Sequence, residues 1–326
     1  MKRYKGKSSM GIEIIGTGSA LPERIVTNDE LSGFLDTSDE WIRTRTGISK
    51  RHVVTHETLG DIGAAACYKA LENAGVSAKD IDLIICTTIS ADYITPSMAC
   101  IIQKKIGASC PAFDLNAACA GFVYGLDVAH SYLDSGKANT VLIVSAEAMS
   151  RIVDWRDRST CVLFGDGAGA VVVRKSEIPF FSRITAEGNI DPLYAHNVPG
   201  NSPYSESKAA DSFLHMDGHE IYKFAVNSIC NDLMSVFKIS GIEAEKIDYV
   251  LLHQANLRII EAAQKKFGIP MEKFAVNISN CGNLSSASIP VLLDELNRSG
   301  KLNKGSLLAM CGFGAGFATG ACVLRW

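Results

Sequence analysis

The chain has 326 residues, 47% of them hydrophobic and 21% charged, with a formal net charge of −3. It can therefore bury a large core and is long enough for two domains or two fused halves. The near-neutral balance, with no basic run beyond Lys-Arg and Lys-Lys pairs, excludes a bulk electrostatic case for nucleic acid. The first sixteen residues, MKRYKGKSSMGIEIIG, are basic but lead into a strand pattern rather than an apolar signal core. With no run of 18 apolar residues, a cytoplasmic protein without membrane contact is expected. The ten cysteines are scattered singly, without the spacing of a disulfide framework or a metal site, so reduced thiols and no metal are expected.

In chain order, the first polar insertion is DTSDEWIRTRTGISKRH at 36–52. It sets an exposed-looking Trp41 beside Arg43 and Arg45, which reads either as a nucleotide-stacking platform or as a surface Trp with snorkelling neighbours. Beyond it the chain repeats itself at long period. LENAGVSAKDIDLIICTTIS, from Leu71, answers FKISGIEAEKIDYVLLHQAN, from Phe237, each a helix end, a Gly, a charged turn and a buried strand. The helix ending at Leu133-Asp134-Ser135-Gly136 answers the one ending at Leu296-Asn297-Arg298-Ser299-Gly300, and closing strands around 169–174 and 320–325 form a third pair. Buried strands alternating with helices in both halves predict an α/β architecture with sheets covered on both faces. The first half runs to about Lys175, the second spans 176–326, and its polar start at 176–222 reads as a connecting or lid region.

Residues 111–136, PAFDLNAACAGFVYGLDVAHSYLDSG, read as a short strand and then a helix with Phe122, Leu126, Ala129 and Leu133 on one face. Cys119 falls at the uncharged N-terminal end of that helix. Unpaired backbone N–H groups and the positive end of the helix dipole there favour thiolate, the state of a nucleophile. A small buried core cysteine is the competing reading. In the second half His253 ends the buried strand 249–252, where open α/β sheets place ligands. It also reads as a structural histidine. Asn283, in NCGNLSSAS, occupies the loop that corresponds by the repeat to the Cys119 loop, though Asn beside Gly is ordinarily a turn. The duplication brings the three toward one pseudo-twofold axis. The glycine-rich segments FGDGAGA (164–170) and CGFGAGFATG (311–320) lack the Lys-Ser/Thr of a phosphate loop and lead into strands, which argues against dinucleotide binding. An N–H near Gly314 or Ala315 suits an oxyanion donor.

Taken together, IIGTGSALPE, DTSDEWIRTRTGI, DLNAACAGF, FGDGAGA, HQANLRII, GNLSSAS and GFGAGF resemble the β-ketoacyl-[acyl carrier protein] synthase III family from about Gly11 to Trp326. The resemblance implies a thiolase-like fold, two similar five-stranded halves in α/β/α/β/α layers, and a homodimer. It implies a decarboxylative condensation of an acyl-CoA primer with malonyl-[acyl carrier protein], initiating fatty acid synthesis, with a Cys119, His253, Asn283 triad. The backbone N–H groups of Cys119 and Ala315 would form the oxyanion hole. Trp41 and Arg158 match the residues that sandwich the CoA adenine, Arg45 a phosphate contact, Asn256 a pantetheine contact, and Arg258, Lys265 and Lys266 the carrier-protein surface. No cofactor, metal or nicotinamide is implied, since acyl-CoA and the malonyl carrier are substrates. Thr95 stands where acetyl-preferring members carry a Phe limiting the partner subunit's acyl pocket. Two alternatives stay open at this point: a relative of the same fold passing the acyl group to another acceptor in secondary metabolism, and a non-catalytic CoA-binding or carrier-binding module.

Overall fold

Strand residues that alternate between two apolar faces dictate the architecture. The computed structural model describes residues 11–197, 204 and 211–326. The basic leader at 1–10 and most of the polar stretch at 198–210 lie outside the described residues. The first half contains β1 (Gly11–Ala20), β2 (Ile25–Thr27), α1 (Asn28–Ser32), α2 (Asp39–Thr46), β3 (Lys50–His52), α3 (Leu59–Ala74), β4 (Leu83–Thr87), α4 (Met98–Ile106), β5 (Ala112–Leu115), α5 (Gly121–Asp134), β6 (Thr140–Ala148) and β7 (Asp166–Ser176). Its five-stranded sheet has the order β1-β7-β6-β4-β5, parallel where β4 meets β5 and β6 and antiparallel where β7 meets β6 and β1.

The second half contains β8 (Phe181–Asn189), β9 (Leu193–Ala195), β10 (Leu214–Met216), α6 (Gly218–Ser240), β11 (Tyr249–Leu252), α7 (Leu257–Phe267), α8 (Ile278–Cys281), α9 (Ser288–Arg298), β12 (Leu307–Gly314) and β13 (Gly316–Arg325). Its sheet, β11-β12-β13-β8, repeats the same parallel and antiparallel pattern. Two expectations change here. The second sheet has four strands rather than five, the fifth position being reduced to one parallel bridge between Val250 and Phe274. Residues 181–189, assigned from sequence to the connector, instead form the strand beside β13.

Ile85, Ile143 and Val171 point inward from the first sheet, and Leu251, Leu308, Met310 and Leu324 from the second, onto α5 and α9 in a shared central layer. The alternate residues Ile84, Leu142 and Val172 face out onto α3 and α4, and Val250, Leu252, Ala309 and Val323 face out onto α6 and α7. Strands covered on both faces are apolar at nearly every position, so no polar alternation survives in β4, β6 or β12. This is the layered α/β/α/β/α, thiolase-like arrangement that the family resemblance implies, with the doubly covered sheets that the repeat predicts. The repeat extends to backbone conformation: α3 and α6 both end on a left-handed glycine, Gly75 (φ 65°) and Gly241 (φ 69°), where a side chain would be strained. Among the described residues no helix is long and apolar enough to cross a membrane.

Candidate active site

The two central helices start at equivalent places, α5 at Gly121 and α9 at Ser288, and each is preceded by one 3₁₀ turn, Ala118–Ala120 and Ser285–Ala287. The first residue of each turn, Ala118 (φ 45°) and Ser285 (φ 49°), has a left-handed backbone, sparsely populated for residues with a Cβ. Each is held by the asparagine two residues earlier: Asn116 Oδ1 accepts from the Ala118 N–H at 3.2 Å, and Asn283 Oδ1 from the Ser285 N–H at 2.8 Å. The strained turns aim the next residues, Cys119 and Ser286, toward the interface between the halves. Cys119 Sγ donates to Ser285 Oγ at 3.4 Å, so the second half reaches across to the thiol. With the Asn283 carbonyl oxygen committed to the backbone, its amide NH2 is the end available to a ligand.

His253 follows β11 directly and is 1% exposed. Its N–H donates to the Cys311 carbonyl at 2.8 Å, and its ring packs edge-on against Phe313 at 5.1 Å between centroids. Buried without a carboxylate partner, it is held down to a pKa of about 3 and stays neutral. Alternate glycines of β12 pack against the Cys119 turn. A Cβ on Gly312 would lie 3.0 Å from Ala120 Cα, and one on Gly314 only 2.6 Å from the Cys119 nitrogen. The end of β12 at Gly314 therefore lies against the Cys119 N–H, with Ala315 next in the chain.

The protonation state expected for Cys119 does not hold. Burial pushes its thiol up to about 12, with the negative charge of Glu147 adding to the rise and Ser285 opposing it. A helix end supplies at most about 2 kcal/mol toward thiolate, too little to reverse that. Although packed on its other sides, Cys119 remains partly accessible because it opens onto a cavity. Packing thus favours the thiol over the thiolate at Cys119.

This cavity, about 240 Å³, joins the sequence-predicted residues that were found far apart in the chain. Cys119, His253 and Asn283 lie at its buried end, with Gly314 and Ala315 beside them. Trp41, Arg45, Arg158 and Asn256 line it toward solvent. Trp41, on α2, is half-buried rather than exposed. The guanidinium of Arg45 lies 4.6 Å from its ring centroid and that of Arg158 5.3 Å, and Arg158 is tied to Asp36 at 2.8 Å. Asn256 caps α7 by accepting from the Arg258 N–H at 2.9 Å, and its amide donates to the Arg45 carbonyl at 3.1 Å. It thereby fixes α7 against α2. Arg258, Lys265 and Lys266 are exposed on α7. Thr95, by contrast, is exposed on the loop before α4 and does not line the cavity of its own chain.

Sequence reasoning missed Ser285 and Glu147. The carboxylate of Glu147 is completely buried on β6. It accepts from Ser286 Oγ (2.7 Å), Ser286 N (3.4 Å), Ser90 Oγ (2.7 Å), Ile89 N (3.1 Å) and Thr88 Oγ1 (3.5 Å). Burial raises its pKa against those bonds. Ser286, the counterpart of Cys119, is spent on this carboxylate and on the Thr87 carbonyl at 3.1 Å. The only sequence signal for Ser285 was its place in the repeat, opposite Ala118.

Fold and site together define a condensing acyltransferase of the thiolase-like class. Residues 113–188 match the family model described as 3-Oxoacyl-[acyl-carrier-protein (ACP)] synthase III, and residues 237–326 match its C-terminal part. The chain belongs to the β-ketoacyl-[acyl-carrier-protein] synthase III family. It is 46% identical to the β-ketoacyl-[acyl-carrier-protein] synthase III of Clostridium acetobutylicum, over 97% of this chain and 98% of that one. It is also 46% identical to that of Xanthomonas campestris pv. campestris, over 96% and 98%. Among solved structures, 3-oxoacyl-[acyl-carrier-protein] synthase III from Aquifex aeolicus superposes with a TM-score of 0.91 at 44% identity, covering 97% of this chain and all of that one. The priming β-ketosynthase of the R1128 polyketide pathway reaches 0.91 at 34% identity, covering 99% and 98%.

Proposed function

We propose that the chain condenses an acyl-CoA primer with malonyl-[acyl carrier protein], releasing CO₂ and forming the 3-ketoacyl carrier product that initiates fatty acid synthesis. The observation that carries this is the single cavity with a thiol, a neutral imidazole and a free carboxamide at its buried end and an aromatic–arginine pair toward solvent. Cys119 attacks the primer thioester, forming an acyl-cysteine while CoA departs. The N–H groups of Cys119 and Ala315 hold the developing oxyanion. His253, as a neutral N–H donor, and the Asn283 amide then bond the malonyl thioester oxygen, stabilising the enolate left by decarboxylation. Trp41 and Arg158 take the adenine between them, Arg45 the phosphates, and Asn256 the pantetheine arm.

The carrier protein, being acidic, docks on Arg258, Lys265 and Lys266. The enzyme acts in the cytoplasm as a homodimer in which Thr95, smaller than the Phe of acetyl-preferring members, leaves room in the acyl pocket of the partner subunit for a longer or branched primer. No cofactor or metal takes part. Transfer to another acceptor and a purely binding role have no specific feature in their favour. The test is intact-protein mass measurement after mixing with acyl-CoAs from acetyl to branched and medium chains, then with malonyl-[acyl carrier protein]. An adduct on Cys119 that disappears as 3-ketoacyl carrier forms is expected, and none on Cys119→Ser. An adduct that persists in the presence of the malonyl carrier refutes the condensation.

A further inference from the structure

Arg51, on β3, is a cation with no solvent exposure. Its Nη1 donates to the Asn28 side-chain oxygen at 2.9 Å and to the Val26 carbonyl at 3.3 Å, and its Nη2 donates to the Val162 carbonyl at 2.8 Å. Among the described residues no carboxylate pairs with it, and Nε has no hydrogen-bond partner. A buried charge without a counter-ion is among the costliest features a fold can hold, and such departures from local rules concentrate at functional sites. Only a planar fork reaches acceptors in these separate directions, which is why the cation is arginine. Burial draws its pKa down to about 10, so the group remains charged at neutral pH.

The two arms of the fork end on different parts of the molecule. Nη1 is anchored in the first half, because Asn28 donates in turn to the Ile48 carbonyl at 2.8 Å and to Asp39, the first residue of α2, at 2.9 Å. Nη2 holds the carbonyl one residue before the segment that grips Asn283. The Asn283 N–H donates to the Leu163 carbonyl at 2.8 Å, the Gly165 N–H donates to the Asn283 carbonyl at 3.1 Å, and Phe164 and Asn283 pair as a parallel bridge. Arg51 also packs against this clamp, since a Cβ on Gly165 would lie 3.1 Å and one on Gly282 3.4 Å from the Arg51 Cβ. Just before β3, the Ser49 N–H donates to the Ser279 carbonyl at 3.0 Å, so the same strand braces the chain leading into Asn283.

We propose that Arg51 is a positioning residue for Asn283, its unpaired guanidinium fixing the clamp at 163–165 so that the Asn283 amide meets the malonyl thioester oxygen. The inference rests on the condensing reading of the site. Arg51 does not line the cavity and touches no substrate; it acts through the Val162 carbonyl. Cys119 is placed separately, by Gly312 and Gly314 of β12, so the two half-reactions depend on Arg51 unequally. Acylation needs the Cys119 sulfur and the oxyanion N–H groups, whereas decarboxylation needs the Asn283 amide.

The experiment compares the two half-reactions of the full-length protein in Arg51→Met and Arg51→Lys, with thermal unfolding recorded for each. Acylation by acyl-CoA is followed by rapid quench and intact mass. Decarboxylation is followed as CO₂ released from saturating malonyl-[acyl carrier protein] by enzyme acylated beforehand. Arg51→Met is expected to acylate within about threefold of wild type but to release CO₂ at least about tenfold more slowly, up to the ~100-fold that a misplacement of ~1 Å causes. Arg51→Lys keeps the charge but not the fork and is expected to show the same imbalance between the half-reactions. Should Arg51→Met unfold, Arg51→Lys alone decides. In an Asn283→Ala background the Arg51 change should slow CO₂ release by less than about a further twofold, because both changes act on one group. Equal losses in the two half-reactions, unchanged CO₂ release in a folded variant, or additive losses with Asn283→Ala overturn the positioning role. Absence of CO₂ release by acylated wild type would instead overturn the proposed function.

Discussion

Replacing Gly314 with alanine tests how tightly β12 holds the Cys119 turn. The new Cβ would lie 2.6 Å from the Cys119 nitrogen and 2.9 Å from Ala118 Cβ. The first distance is about 0.8 Å short of the 3.4 Å at which ordinary contact begins. Both obstacles belong to a buried turn whose first residue already sits at positive φ, so there is no flexible side chain to swing aside. The turn or β12 must move by most of that amount. Overpacking of this kind costs about 1–3 kcal/mol of stability. Displacing the Cys119 N–H and thiol by nearly 1 Å costs about 100-fold in rate, as misplacement of a reacting group does. Gly314→Ala should therefore unfold at lower denaturant concentration and acylate about 100-fold more slowly, with CoA affinity kept because Trp41 and Arg158 are untouched. The assay pairs denaturant unfolding with rapid-quench acylation and uses Gly188→Ala as control, since a Cβ there meets nothing within 4 Å. An acylation rate within twofold of wild type would refute the reasoning that Gly314 sets the position of Cys119.

Three further outcomes are expected. Because His253 is held neutral down to about pH 3, against about 6.5 when unfolded, the unfolded chain binds the extra proton between those values. Its contribution to stability is full above pH 6.5 and falls by up to about 1.4 kcal/mol per pH unit below it. Denaturant midpoints measured at pH 6.5 and 4.5 should show a smaller difference in His253→Asn, and an identical pH slope would refute the neutral assignment. Trp41→Ala should weaken CoA binding by about 1–3 kcal/mol, as loss of a base-stacking ring does; calorimetry giving an unchanged Kd would place the adenine elsewhere. Thr95→Phe should shift primer preference toward acetyl-CoA in competition assays, and unchanged selectivity would mean that the pocket is limited by other residues.

The duplication was legible because both copies keep the same local chemistry. Gly75 and Gly241 close equivalent helices at the same left-handed backbone angle, and two-sided burial leaves equivalent strands apolar throughout. The convergence of Cys119, His253 and Asn283 on one cavity was legible for the same reason, since a repeat turns distant loops into neighbours. Strand β8 was not, because only one of its edges pairs, to β13, and its side chains are half-buried or exposed, so its pattern is that of a connector. The protonation of Cys119 was misjudged because the sequence displays the helix end but not the surrounding packing. The carboxylate that raises the thiol further, Glu147, is 28 positions away on another strand. Ser285 was hidden in the NLSSAS run, where residue type gives no sign of a left-handed backbone or of a thiol 3.4 Å away.

The fate of Ser286 has a consequence for the symmetry of the repeat. Here the second hydroxyl is consumed by Glu147 and the Thr87 carbonyl, and it welds the halves together where its twin, Cys119, faces the cavity. The symmetry of the repeat is therefore broken at this turn, one copy holding the halves together and the other leaving its side chain to the cavity.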